Sequence, residues 1–523
     1  MSFGNHINPS MLLASITKHE APSRYRVGSI SRLFVWLCIV LVALLTGTAG
    51  AAGLPSFPGA EGAGALAVGG RGGVVCKVTN LNDSGSGSLR GCVERSGPRT
   101  VIFEVGGTIK LRGPISIRDP YITVAGQTAP GGGIQIKADK ANWAGGANDL
   151  LIIRADHVIV RHLRFRKGYT GNKAGNIRVR DPSRNVIVDH VSLFWGENQN
   201  WTVYSNSDSS GPQDITLQNS IIAEMLDNRV NVLLGAGGSG AALMENIDHH
   251  NNLIATARHR NPLGRYASGR WVNNIIYNWR SWASRGVGGV HQDWVSNIWK
   301  AGPAISSDEK AQYGLMFVRW SERHNRPHAV INRAPSLYIE GNRDLVSGMT
   351  PDTDNWPYTR EAGPTDNGDI IGATPMEWRR DEPLPVAGRP ITVRHVDQLE
   401  SHLLPILGAS RRLDCEGNWV ENRDEADARV VDEYLTKRGT RAESGQGEEI
   451  YGGHPSIAAG VPCVDTSGDG LPDAWVTANG LDPTDPSLGA TVHDSGYTYL
   501  ELYINGMRLT LAPPSRIQQI TVD

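Results

Sequence analysis

Residues 157–166 read HVIVRHLRFR, and residues 185–194 read NVIVDHVSLF. The same grammar returns as DITLQNSIIA at 214–223, NIDHHNNLIA at 246–255, GRWVNNIIYN at 269–278, VHQDWVSNIWK at 290–300 and PSLYIEGNR at 335–343. Each is a β-branched stretch, often followed by a polar turn rich in Asn or His, then a second apolar pair. Successive strand residues face opposite ways, so each stretch has an inner and an outer set. The starts recur at roughly 20 to 30 residues, the range of solenoid repeats. Asparagine at a recurring corner tolerates left-handed geometry and stacks into ladders. An antiparallel β-sandwich is the alternative, but few tight two-residue hairpin turns join the repeats. The expected fold is all-β, a right-handed parallel β-helix.

The bulk numbers fit that reading. The 523 residues allow one large domain and a smaller one, and 61 glycines with 7% aromatics favour turns over long helices. A net charge of −2 argues against a nucleic-acid-binding protein but leaves room for a local basic groove. At the N-terminus, basic KHEAPSRYRVGSISR precedes apolar LFVWLCIVLVALLT and small-residue GTAGAAG. This reads as a signal peptide cleaved near Ala51, with an uncleaved anchor as the alternative. Cleavage implies a secreted protein, extracellular or periplasmic, with no stable membrane span. Expected divisions are a leader at 1–53, the β-helix at 54–440, a polar linker at 441–455 and a small acidic, calcium-binding-like segment at 456–523. Nothing signals oligomerisation, so a monomer is expected. Cys76, Cys92, Cys415 and Cys463 remain in the mature chain. Four cysteines allow three connectivities; Cys76–Cys92 is the preferred local pair, leaving Cys415–Cys463. One helix is expected in 423–439, with Ala426, Val430, Val431, Tyr434 and Leu435 at helical spacing and Gly439 as the stop.

Several motifs together resemble one family. They are FPGAEGAGALAVGGRGG at 57–73, VTNLNDSGSGSLRGCV at 78–93, PRTVIFEVGGTI at 98–109, ITVAGQTAPGGGIQI at 122–136, NVIVDHVSLFWGEN at 185–198 and NNLIATARHRNPLGR at 251–265. This combination is similar to the pectate lyase superfamily, polysaccharide lyase family 1 and its bacterial relatives, over roughly 54–440. The resemblance implies a parallel β-helix that cleaves polygalacturonate by β-elimination, and thus an acidic plant-type polysaccharide as partner. It implies an arginine base in an Arg-x-Pro pattern, here Arg260, and a second arginine five residues on, Arg265, that grips substrate. Arginine is ordinarily always protonated, so such a base needs neighbouring positive charge, which Arg258, His259 and Arg265 supply. Further basic residues, Arg164, Arg166, Arg178 and Arg180, alternate along two stretches and are expected to build a positive wall for an acidic polymer, or else a salt-bridged face.

The family also grips uronates with calcium, and here the chain departs from the pattern. GNKAGNIRVR has no carboxylate, and Lys173 stands where one is expected; WGENQNWTV keeps only Glu197. A lone Glu197 is a poor calcium site; either Lys173 and its neighbours replace the metal, or the chain acts on another uronate polymer or has lost activity. The tail DTSGDGLPDAW places Asp465, Ser467, Asp469 and Asp473 at EF-hand-like offsets, with Asp494 further on, and suggests a structural calcium; a hydrated acidic turn is the alternative. Two other functions remain open. A β-helical glycoside hydrolase needs a facing carboxylate pair from Asp189, Glu197 and Asp227. A non-catalytic polysaccharide-binding β-helix needs none.

Overall fold

The computed structural model describes residues 53–227, 230–236, 239–318, 333–363 and 369–509. Nearly all of the expected leader, with its cleavage point near Ala51, lies outside them. Leu54–Asp523 forms one compact unit. The described residues build three long sheets, and the chain visits them in turn. Arg184–Asp189 belongs to sheet I, Ser192–Phe194 to sheet II and Trp201–Ser205 to sheet III. Gln213–Gln218 then returns to sheet I and pairs parallel with Arg184–Asp189, Val186 opposite Ile215. The sequence repeat is therefore one turn of a right-handed parallel β-helix. Only the last strand of sheet III, Ile370–Ala373, pairs antiparallel within these three sheets.

The corner from sheet I to sheet II needs one left-handed residue. His162, His190, Asn219, Asn251 and Asn273 occupy it, all with φ between 51° and 56°. The next position stacks into a buried ladder: Asn252 donates to Asn274, Asn274 to Asn297 and Asn297 to Asn342, each at 3.0 Å. Inside the coil, rows of Val, Ile and Leu pack together, and His249 stacks on Trp271 with centroids 4.1 Å apart. Burial holds His249 down at about 3, and it accepts a hydrogen bond from Trp201 Nε1 as a neutral ring. The loop SGMTPDTDNWPYT at 347–359 closes the coil's end. Asn355 extends the ladder beyond Asn342, and Trp356 joins the core, because exposed apolar ends must be covered.

The expected helix forms over Glu425–Thr436, capped by the Asp424 side chain. It stops at left-handed Lys437 rather than the expected Gly439, and Leu435 lies within it at the expected spacing but is 55% exposed. The helix lies on sheet II and overturns the Arg164–Arg166 part of the expected positive wall. Arg164 and Arg166 do share a face, but both are fully buried. Arg166 pairs with Asp424 at 2.6 Å and Asp427 at 2.8 Å, and Arg164 with Asp424 at 3.0 Å. Acids brought by the helix cover the basic row. The residues expected as a linker also pack down: Glu448 accepts from Tyr169 N, and Ser444 and Gly445 donate to Asp227. The tail packs on the first coils through a cluster including Ala125, Leu413, Trp475 and Leu500, with Lys77–Asp465 at 2.7 Å and Arg71–Glu501 at 2.8 Å. Both preferred disulfides are present, Cys76–Cys92 and Cys415–Cys463. Among the described residues no helix is long and apolar enough to cross a membrane.

Candidate functional site

The loops from sheet II to sheet III rise from a second buried ladder. Asn176 donates to Asn200 at 2.6 Å, Asn200 to Asn231 at 2.9 Å and Asn231 to Asn261 at 3.0 Å. The ladder ends in the Arg-x-Pro loop between strands Leu253–Ala257 and Leu263–Gly264. Arg260 has φ 61°, its carbonyl accepts from Val232 N, and a cis Asn261–Pro262 bond follows. A positive φ at a non-glycine residue is held by its surroundings, here by that ladder and the neighbouring coils. Arg265 begins beyond the two-residue strand, its N–H bonded to Leu234 O.

The loop's charges meet an aromatic. His259 lies 4.7 Å from the Trp282 ring, and the Arg285 guanidinium stands 4.3 Å over it. Burial, then Arg260, Arg258 and Arg285, push His259 down to about 3. It is therefore neutral near pH 7. The expectation that His259 adds positive charge is corrected, and Arg285, from the following coil, takes that place. The sequence hid Arg285 because coil lengths vary.

Lys173 and Arg178 are not brought beside Arg260. Arg178 aligns with Thr202, Leu233 and Leu263, three strand steps or about 14 Å along the sheet. Its Nε is paired with buried Asp149 at 2.8 Å, while Lys173 is exposed on the loop just before. Glu197 is 1% exposed. It accepts from Thr170 Oγ1 at 2.6 Å, Lys167 Nζ at 3.3 Å and Gly171 N. Both its oxygens are used in clamping the 167–171 turn, so the donors here do not fit a central calcium. The three candidate acids are each engaged elsewhere and do not offer a hydrolase pair. Asp189 sits at the other corner, bonded to Arg161 and His190, and these neighbours hold it well below the usual carboxylate range despite burial; Asp227 is spent on 444–445.

In the tail, Asp465 and Asp469 accept from backbone N–H groups of Gly468, Gly470, Leu471 and Gly489. Asp473 accepts from Thr466, Ser467 donates to Asp465, and Asp494 is exposed. These oxygens suit calcium by type, yet the three aspartates do not converge. Among the described residues, the close group of three potential ligands is His162, Asp189 and His190.

No protein-family model matches the chain. It is 31% identical over 473 residues to the probable pectate lyase C of Aspergillus fumigatus, covering 90% of this chain and 97% of that protein. With the probable pectate lyase C of Emericella nidulans it shares 30% over 467 residues, covering 89% and 96%. Among solved structures, the cedar pollen allergen jun a 1 aligns with a TM-score of 0.46 and 18% identity, over 67% of this chain and 92% of that one. With relatives of this identity matched over almost their whole length, the chain belongs to the pectate lyase family.

Proposed function

We propose that this protein is a secreted lyase that cleaves polygalacturonate, or a closely related acidic polysaccharide, by β-elimination. The observation that carries the reading is the arginine loop 258–265, held at the end of the asparagine ladder and crowded by Arg285. In the reaction Arg260, as the neutral base, removes the proton on the carbon beside a uronate carboxylate. The freed electron pair forms the ring double bond and expels the glycosidic oxygen on the next carbon, which takes a proton and becomes a new reducing end. Arg265 holds the carboxylate, where charge builds as the proton leaves. Fixed cations do this without a central calcium, since Glu197 is already bonded to Lys167 and Thr170. A structural calcium in the tail would take its oxygens from Asp465, Ser467, Asp469 and Asp473, which would have to leave the backbone N–H groups and Thr466 they now bond in order to converge. Secretion rests on the leader sequence, and the chain acts as a monomer.

The test is Arg260→Ala in the full-length mature chain. Loss of a general base lowers kcat by roughly 10²–10⁴. Oligogalacturonate binding, measured by calorimetry, is expected to persist. Turnover within a few-fold of wild type removes Arg260 from the base role.

A further inference from the structure

The outward row of sheet III that contains Arg265 runs back through Gly235, Tyr204, Arg180 and Arg154. The register fixes this: Leu234 faces Gly264, Tyr204 faces both Gly235 and Arg180, and Val179 faces Ile153, one residue before Arg154. Arg154 and Arg180 therefore stand on adjacent strands, about 4.8 Å apart in backbone. Neither makes an ion pair or a side-chain hydrogen bond among the described residues, and Arg180 Nε is buried without a partner. Asp181 sits next in sequence, but accepts from Asn206 N at 3.0 Å. Elsewhere on the coil Arg161, Arg166, Arg178 and Arg270 each pair with a carboxylate. Burial first, then the charges of Arg154 and Arg178, act to lower the proton affinity of Arg180. Like charges on neighbouring strands destabilise a sheet unless an anion joins them. The row is also passable. At Gly235 a Cβ would meet nothing nearer than 3.7 Å, so the floor between Tyr204 and Arg265 is flat.

We propose that Arg154 and Arg180 form a distal subsite on sheet III that binds the free carboxylate of a uronate unit, three strand steps from Arg265, and so selects unesterified polymer. The inference rests on the uronan-cleaving reading and adds where specificity is set. Arg180 and Arg265 are about 14 Å apart along the sheet, so the two ends of the row contact different sugars of one chain. A methyl ester removes the charge that Arg154 and Arg180 pair with, while leaving the sugar's shape nearly unchanged. Arg178, already paired with Asp149, supplies the border of the subsite.

The experiment uses the full-length mature chain with Arg154→Gln, Arg180→Gln and the double variant. KM and kcat are measured on polygalacturonate and on highly methyl-esterified pectin, with melting temperature as a folding control. The double variant is expected to raise KM on polygalacturonate at least tenfold with kcat changed less than twofold. KM on esterified pectin is expected to stay within twofold, and Arg180→Lys to recover most of the loss. Equal losses on both substrates, or no change on either, overturn the subsite. Calorimetric binding of oligogalacturonate and its methyl ester separates this from the lyase reading. If wild type makes no unsaturated product, the lyase reading fails. The subsite then stands if the double variant loses affinity for the free acid alone, and falls if it does not.

Discussion

Arg260 and Arg265 flank a strand of only two residues, Leu263–Gly264, so a single short turn presents both. That pair was legible in the sequence through the Arg-x-Pro pattern. The partners that decide what each charge can do were not. Glu197 looked like a remnant metal ligand, but its oxygens meet Lys167 and Thr170, 30 and 27 residues earlier. One coil separates such partners, and coil length varies, so spacing alone does not pair them. Arg178 with Asp149, 29 residues apart, escaped notice for the same reason. Lys167 and Glu197 are both buried, with burial lowering the lysine's proton affinity against the pull of Glu197. Removing one partner strands the other charge, so Glu197→Ala is expected to cost about 3–5 kcal/mol in chemical denaturation. A change under 1 kcal/mol would mean that the clamp is not formed in solution.

At the scale of elements, the helix Glu425–Thr436 was readable from its apolar spacing, and its docking partner was not. The alternation in 164–166 correctly placed both arginines on one face. Whether that face met solvent or a helix depended on a segment some 260 positions away, Asp424 and Asp427. The same helix carries a pH-sensitive group. Burial, reinforced by Glu224, pushes Glu433 up to about 7. The folded state thus keeps this proton while the unfolded chain, with an ordinary glutamate near 4.5, has lost it. Stability from this group is fully present below about 4.5 and falls as pH rises towards 7. Glu433→Gln is expected to flatten the decline in unfolding free energy between those limits. Parallel profiles for variant and wild type would show that Glu433 titrates normally.

Over the whole molecule, the repeat positions announced the coil, because hydrophobic alternation and corner asparagines are local signals. The fit of the tail against the first coils is a long-range fact that no local pattern carried. Lys77–Asp465 and Arg71–Glu501 tie it there, and the Cys415–Cys463 bond joins it to the 411–421 hairpin. A ligand that binds only the folded tail raises the melting temperature. Added calcium is expected to do so for wild type and not for Asp469→Ala. An equal response in both assigns the tail aspartates to backbone capping alone.

We propose that a loop of arginines eliminates uronate linkages without a calcium held at Glu197. The most direct measurement is near-ultraviolet absorbance of unsaturated products released from polygalacturonate by the purified wild-type chain, with and without a chelator. Product is expected under both conditions, at rates within about twofold, since fixed cations, unlike bound metal, are not removed by chelation. Absence of unsaturated product, or activity abolished by the chelator and restored by calcium, would contradict the account.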